Sequence, residues 1–237
     1  MIFAINTSTP QFSIALMKKE GILIEEYIVS PGRKNFRAFM PVVHSIFEST
    51  GSMIEELKAI IVAMGPGSFT GLRVGLSVGK GIAHGLQIPI IGVSSLESMA
   101  AQLPYTTHVL CPMISSRSAE VFTALFRFDH EQKMIRIIED SSLSFKALVS
   151  IINGPTLFIG NDFDTQGCPV KDLIGENAFL APPHLWNLRA SAVAALGLKR
   201  FLNNDFDDIR DLVPNYKRPP DIRPNPFPVM SGKQISS

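Results

Sequence analysis

Residues 65 to 75 read GPGSFTGLRVG, the stretch of the chain whose residue types and spacing most suggest chemistry. Gly65 and Gly67 permit backbone conformations that side chains resist, and Pro66 stiffens the loop between them. Ser68 and Thr70 can cap a following helix, leaving N–H groups at its positive end. Gly65, Gly67, Ser68 and Thr70 therefore form a candidate anion or phosphate cradle, with Ser8 and Thr9 of the N-terminal turn as further candidates. A tight strand-to-helix turn without a ligand is the commoner use of such a loop. Two familiar phosphate motifs are missing. Thr70 stands where G-x-G-x-x-G needs its third glycine, and Gly79-Lys80 lacks both the earlier glycine and the following Ser/Thr of a P-loop.

Gly71, Gly75 and Gly79 recur every four residues and so share one helix face. Each glycine costs a helix roughly 1 kcal/mol relative to alanine, so close packing is the expected reason for keeping them. The stripe can lie against the chain's own sheet or against a partner's helix, and spacing alone does not separate the two.

Other constellations fail. The five histidines are His44, His84, His108, His130 and His184, and no two stand at i, i+4. His130-Glu131 begins like H-E-x-x-H, but Met134 occupies the second histidine's place, so a metallopeptidase has no zinc site and no metal site is expected. Ser68 is out of register for a G-x-S-x-G elbow. Asp205, Asp207 and Asp208 lack calcium-loop spacing and read as a solvated loop. Arg33, Lys34 and Arg37, and in the tail Lys217, Arg218 and Arg223, are small basic clusters that could touch RNA backbone in an assembly. Surface solvation is the commoner explanation.

These residues need elements to position them. Apolar runs at 2–5, 12–17 and 22–29, joined by short turns, predict a three-strand meander. Helical spacing follows from Asn35 to about Ser49, then a short buried strand at 58–64 enters the glycine-rich loop. A helix from about Gly71 to His84, a strand at 89–93 and a helix opened by Ser94 or Ser95 complete the first half, with Ser94 and Glu97 spaced as a capping box. The pattern then restarts: a hairpin at 108–114 and 120–128, a third strand at 134–139, a short helix near 145–152, a strand at 156–160 and a helix at 191–201. A duplicated three-strand meander plus αβ units predicts an α/β, two-lobed, actin-like (ribonuclease-H-like) fold. The expected divisions are a first lobe at 1–103, a second at 104–213 whose last helix can return to the first, and a proline-rich tail at 214–237, extended or disordered unless a partner pins it.

Bulk properties agree with a folded globular chain. It has 237 residues, 46% hydrophobic and 18% charged, and a formal net charge of +1, without the basic excess of a protein that grips nucleic acid alone. Cys111 and Cys168 are expected to be free thiols, the N-terminus does not read as a signal peptide, and no run is long enough to span a bilayer. A cytoplasmic protein is expected.

GPGSFTGLRVG closely resembles the signature segment of the TsaB-type (YeaZ-type) family. Ile5-Asn6-Thr7-Ser8-Thr9 is similar to the family's opening I-D-T-S-T, Val93-Ser94-Ser95-Leu96-Glu97 to its V-S-S-L-E, and Pro214-x-Tyr216-x-Arg218 to its P-x-Y-x-R. The matches are collinear over about residues 1–218. The resemblance implies two actin-like lobes and a non-catalytic scaffold or activating subunit of tRNA threonylcarbamoyladenosine biosynthesis. It implies pairing with a catalytic TsaD-type subunit and cooperation with a TsaE-type ATPase, with tRNA met only through the complex and self-association left open. No cofactor is expected to bind firmly, with ATP or ADP held only in the assembled complex. It also implies that the glycine-striped helix, through Gly71, Arg73, Gly75 and Gly79, forms the partner interface. Three departures from the family pattern stand out. Asn6 replaces an aspartate, Ser115-Ser116-Arg117 replaces aspartate–alanine–arginine, and Asn35-Phe36-Arg37 replaces a histidine-and-acid helix start. A neutral amide is a poorer magnesium ligand than a carboxylate. The competing reading, an actin-like sugar or acetate kinase or ATPase acting alone, would need acids at both turns.

Overall fold

A computed structural model describes residues 1–30, 35–103, 106–116 and 120–217. Arg33, Lys34, Arg117, Arg218, Arg223 and the tail beyond Lys217 lie outside the described residues.

Two five-stranded mixed sheets carry the fold. In the first, β1 (Ile2–Asn6), β2 (Phe12–Met17) and β3 (Leu23–Val29) form an antiparallel meander. β4 (Ala59–Ala63) and β5 (Ile90–Val93) add parallel to β1, giving the order β3-β2-β1-β4-β5. Every residue of β1, β2, β4 and β5 is buried, which explains their continuous rather than alternating apolar runs. The second sheet repeats the plan with β6 (Val109–Ser115), β7 (Glu120–Phe128), β8 (Met134–Ser144), β9 (Thr156–Gly160) and β10 (Ala178–Leu180), in the order β10-β9-β6-β7-β8.

α1 (Phe39–Thr50) and α2 (Phe69–Leu86) cover one face of the first sheet. Phe39, Val43, Ile46, Leu76 and Ala83 pack there on Phe3, Ile5, Ile14, Ile60 and Val62. α6 (Ala190–Leu202) returns from the second half to cover the other face. α3 (Ser95–Ala100) goes the other way and packs on β6, β7 and β9. This exchange merges the space between the sheets into one core, in which Ile2, Ala4 and Ile61 join Leu110, Phe126 and Phe158 through Val193 and Ala194. The two halves are thus bound by apolar burial rather than by a hinge across an open cleft.

Several boundaries differ from expectation. Residues 35–38 form a 3-10 turn before α1. α2 starts earlier, at Phe69, because Ser68 is the cap. β8 runs on to Ser144, the N-cap of α4 (Phe145–Val149). α5 (Phe163–Ile174) and β10 were not expected, because Gly167-Cys168-Pro169 reads locally as a breaker. Ser94 caps α3, but Glu97 pairs with Arg136 at 3.3 Å instead of closing a capping box. Cys111 is buried, with its thiol pushed up to about 12 by that burial, and Cys168 is exposed. Among the described residues no helix is long and apolar enough to cross a membrane.

Candidate functional site

The glycine-rich loop is built from three directions. Below it, the turn after β1 supplies a peptide prop: the Ser68 N–H donates to the Ser8 carbonyl at 2.7 Å. Beside it, Ser95 of α3 accepts from the Gly65 N–H through its hydroxyl at 3.1 Å and donates its own N–H to the Gly65 carbonyl at 2.9 Å. Above it, the chain after α6 folds back, and the Asn215 N–H reaches the Met64 carbonyl at 2.7 Å. Gly65 has φ +113 and would place a Cβ 2.8 Å from the Asn215 carbonyl oxygen, so both conformation and space demand glycine there.

These props use up much of the expected anion cradle. Ser8 and Thr9 are buried. The Ser8 hydroxyl donates to Asn6 Oδ1 at 2.7 Å, and the Thr9 hydroxyl to the Gln11 carbonyl at 2.7 Å. Ser68 accepts from the Gly71 N–H as the helix cap, and a Cβ on Gly67 would lie 2.8 Å from Ser8 Cβ. Ser8, Thr9, Gly65, Gly67 and Ser68 therefore serve the loop's own construction, while Thr70 is exposed on the first turn of α2. These contacts describe a strand-to-helix turn braced by the chain itself.

The glycine stripe faces inward. A Cβ on Gly71 would overlap the Thr7 carbonyl, one on Gly75 would overlap Thr7 Oγ1, and one on Gly79 would lie 2.7 Å from Val62 Cγ2. The Thr7 hydroxyl also donates to the Gly71 carbonyl at 2.7 Å, pinning the helix to the end of β1. Gly71, Gly75 and Gly79 are thus correctly read as a close-packing face, but the face meets this chain's own β1 and β4, not a partner's helix. The outward side of α2 is a different set: Thr70, Arg73, Ser77, Gly81, His84 and Gly85 are exposed, with Val74, Val78 and Ile82 half-buried between them. Among the described residues, nothing lies within 4 Å of a Cβ added to Gly81 or Gly85.

Arg73, the fourth residue expected at the interface, is on that outward side and is held by two aromatics. Its Cζ lies 3.9 Å from the Phe69 ring centroid, and its Nε donates to the Tyr216 hydroxyl at 2.9 Å. The Phe69 and Tyr216 rings are 4.8 Å apart. Two segments that resemble the same family, GPGSFTGLRVG and the C-terminal P-x-Y, are therefore in direct contact. Sequence reading missed Phe69 and Tyr216 as partners of Arg73, and it left residues 214–217 unattached. The only signal was Tyr216 itself, an aromatic in a proline-rich stretch.

At the two turns where an actin-like fold would need acids, Asn6 and Ser115 are uncharged and hydrogen-bonded within the chain. Asn6 Nδ2 donates across the molecule to the Leu188 carbonyl at 2.8 Å, while its Oδ1 accepts from the Ser8 N–H and hydroxyl. At the second turn the Ser115 N–H donates to Asn161 Oδ1 at 2.6 Å. Gln166, buried on α5, donates to Ser115 Oγ and Asn161 Oδ1 and accepts from the Asn161 N–H, each at 3.1 Å. Among the described residues no cluster of His, Cys, Asp and Glu could hold a metal.

The acidic run after α6 anchors the returning segment. Arg200 bonds Asp205 at 2.7 Å and Asp207 at 3.0 Å, so that hydrogen bonding raises the guanidinium's pKa and lowers that of Asp205. Asp207 Oδ2 also accepts from the Gly92 N–H at 2.7 Å, capping the edge of β5. Arg210 holds the Asp208 carboxyl down to about 2. His130, Arg37 and Lys217 are exposed.

A family model described as "TsaD: tRNA N6-adenosine threonylcarbamoyltransferase" matches residues 31–205. The tRNA threonylcarbamoyladenosine biosynthesis protein TsaB of Bacillus subtilis is 31% identical over 220 residues, 92% of this chain and 93% of that protein. The Escherichia coli protein of the same name is 34% identical over 131 residues, 54% of this chain and 55% of the other. Among solved structures, YeaZ from Pseudomonas aeruginosa superposes with a TM-score of 0.76 at 21% identity, covering 91% of this chain and 98% of that one. With two duplicated actin-like sheets and the signature loop in place, the chain belongs to the TsaB (YeaZ-type) family.

Proposed function

We propose that this chain is the partner subunit of a TsaD-type catalytic protein in tRNA threonylcarbamoyladenosine biosynthesis and has no catalytic activity by itself. The observation that carries the reading is the state of its two turns. Asn6 and Ser115 stand where the fold would use carboxylates for a metal-bound nucleotide; both are uncharged, and both are engaged in hydrogen bonds within the chain. A magnesium ion seeks several hard, preferably charged, oxygen ligands, whereas Asn6 offers an amide oxygen already bonded to Ser8 and Ser115 a hydroxyl already bonded to Asn161 and Gln166.

The surface for the partner, in this reading, is the outward side of α2 with its neighbour α1. Small residues there (Ser77, Gly81, Gly85) let another backbone approach, and Met40 on α1 is 56% exposed. A TsaE-type ATPase and tRNA would join only once that pair has formed, and ATP or ADP would be held only in the assembly. Self-association through the same face would compete with the partner.

The test is reconstitution. The chain, its TsaD-type and TsaE-type partners and unmodified tRNA are combined with threonylcarbamoyl-adenylate supplied. Modification is expected only when the chain and the catalytic subunit are both present, with no ATP hydrolysis by the chain alone. ATP turnover by the pure chain would favour the kinase or ATPase reading, and full modification without the chain would refute the partner role.

A further inference from the structure

Arg73 is exposed, yet its guanidinium is not loose. It lies 3.9 Å above the Phe69 ring, 5.8 Å from the Tyr216 ring centroid, and spends Nε on the Tyr216 hydroxyl at 2.9 Å. A guanidinium has five N–H donors in one plane, and these contacts use one of them. Among the described residues, no acceptor meets Nη1 or Nη2. The group is thus fixed through Nε and against the Phe69 ring, while Nη1 and Nη2 have no acceptor among the described residues. Stacking and the Nε bond have already taken up side-chain freedom that a docking arginine would otherwise lose.

The surroundings are one-sided in charge. α2 carries Arg73, Lys80 and His84 and no aspartate or glutamate. The residues flanking Arg73 on the outward side, Thr70, Val74 and Ser77, are small or apolar. An RNA backbone would call for several fully exposed cations spaced along its phosphates, whereas Lys80, two turns from Arg73, is half-buried and the residues next to Arg73 on α2 are uncharged. A protein surface with a single acid among small side chains is the complement.

We infer that Arg73 is the anchor of the partner interface and takes a carboxylate of the TsaD-type subunit end-on through Nη1 and Nη2. Phe69 and Tyr216 are positioning residues that hold the guanidinium ready. The inference rests on the partner-subunit reading and specifies the chemistry of its contact.

The experiment is calorimetric titration of the purified TsaD-type subunit into the full chain at low and at high salt, without and with tRNA. Arg73→Gln is expected to weaken binding by about tenfold or more, and to flatten its salt dependence. Arg73→Lys keeps the charge but not the fork and should lose several-fold, roughly midway. Tyr216→Phe keeps the ring but not the Nε bond and should lose about two- to fivefold. All three should melt within a few degrees of the parent, and if Arg73→Gln alone melts early the other two decide. Wild-type affinity in Arg73→Gln, or in both milder variants, overturns the anchor while leaving the partner reading intact. Wild-type affinity in Arg73→Lys alone overturns the end-on fork geometry. A loss seen only with tRNA present reassigns Arg73 to a phosphate and overturns the carboxylate. If the parent chain itself does not bind, the partner reading fails first.

Discussion

Thr7 Oγ1, at the end of β1, occupies the space that a Cβ on Gly75 would need, and the same hydroxyl donates to the Gly71 carbonyl one turn earlier at 2.7 Å. The contact fixes how closely α2 lies on the sheet. It also fixes which side of α2 is left for a partner.

Gly75→Leu therefore tests internal packing. Leucine improves intrinsic helix propensity by about 1 kcal/mol, but it forces α2 off Thr7 and Ile5 Cγ2. Overpacking of this kind costs about 1–3 kcal/mol and often more when the obstacle is a neighbouring strand. The isolated chain should melt several degrees lower. An unchanged melting point would mean that the stripe does not set the packing.

Gly81→Leu is the mirror experiment. Gly81 is exposed, and no described residue lies within 4 Å of a Cβ added there. Replacement should raise the isolated chain's stability by up to about 1 kcal/mol through helix propensity. Binding to the TsaD-type subunit should weaken by about tenfold or more through steric overlap. A variant that melts later and binds as before would move the interface off this side of α2.

The contrast shows what was readable from sequence. The three-strand meanders, the buried strand before the loop and the helix after it all carry local periodicity, so their order was legible. The direction of the glycine stripe was not. A run of small residues marks a close approach without saying to what, and the answer lay with Thr7, 64 residues away. Tyr216 reaches Arg73 across 143 residues from a stretch whose prolines read as an extended tail. α5 was hidden because Pro169 sits inside it. The neutral turns were legible as departures at Asn6 and Ser115. Their closure by Leu188 and Gln166 depends on long-range pairing that spacing does not encode.

Gln166→Ala tests the second of those closures. Gln166 is 2% exposed and serves the Asn161 and Asp162 N–H groups as well as Ser115 and Asn161 Oδ1. Truncation leaves buried donors unpaired and should cost about 2–3 kcal/mol, read by denaturant unfolding. It should not create ATP binding by calorimetry. Gain of tight, magnesium-dependent ATP binding would show that the glutamine was the only obstacle.

Asp208 gives a pH prediction. Its carboxyl is lowered to about 2 by Arg210, against about 3.9 for a free aspartate. The folded value is the lower one, so its contribution is full above about pH 4 and is lost as pH falls through about 2. Arg210 is 83% exposed, so the contribution should be small and screened by salt. Carboxyl NMR should find Asp208 titrating near 2 in the parent and nearer the free value in Arg210→Ala. Identical titration in both would remove Arg210 as the cause.

The returning segment yields the last test. A chain ending at Lys217 keeps the Asn215-to-Met64 hydrogen bond, the Phe69–Tyr216 ring pair and the Tyr216–Arg73 bond. A chain ending at Val213 loses all three but keeps Leu212, which is buried in the core beneath α2, and the Arg200 pairs with Asp205 and Asp207. The lost hydrogen bond and aromatic pair are each worth about 1 kcal/mol, so the shorter chain should fold but melt a few degrees below the longer one. The difference should be local. Amide exchange should quicken at the loop 65–68 and the first turn of α2, where Asn215 and Tyr216 had leaned, and stay as it was in β1 and β2. Partner affinity should fall together with loop protection, because Arg73 loses one of the two rings that hold it. Equal melting points and equal exchange for the two chains would show that residues 214–217 rest on the loop without bracing it.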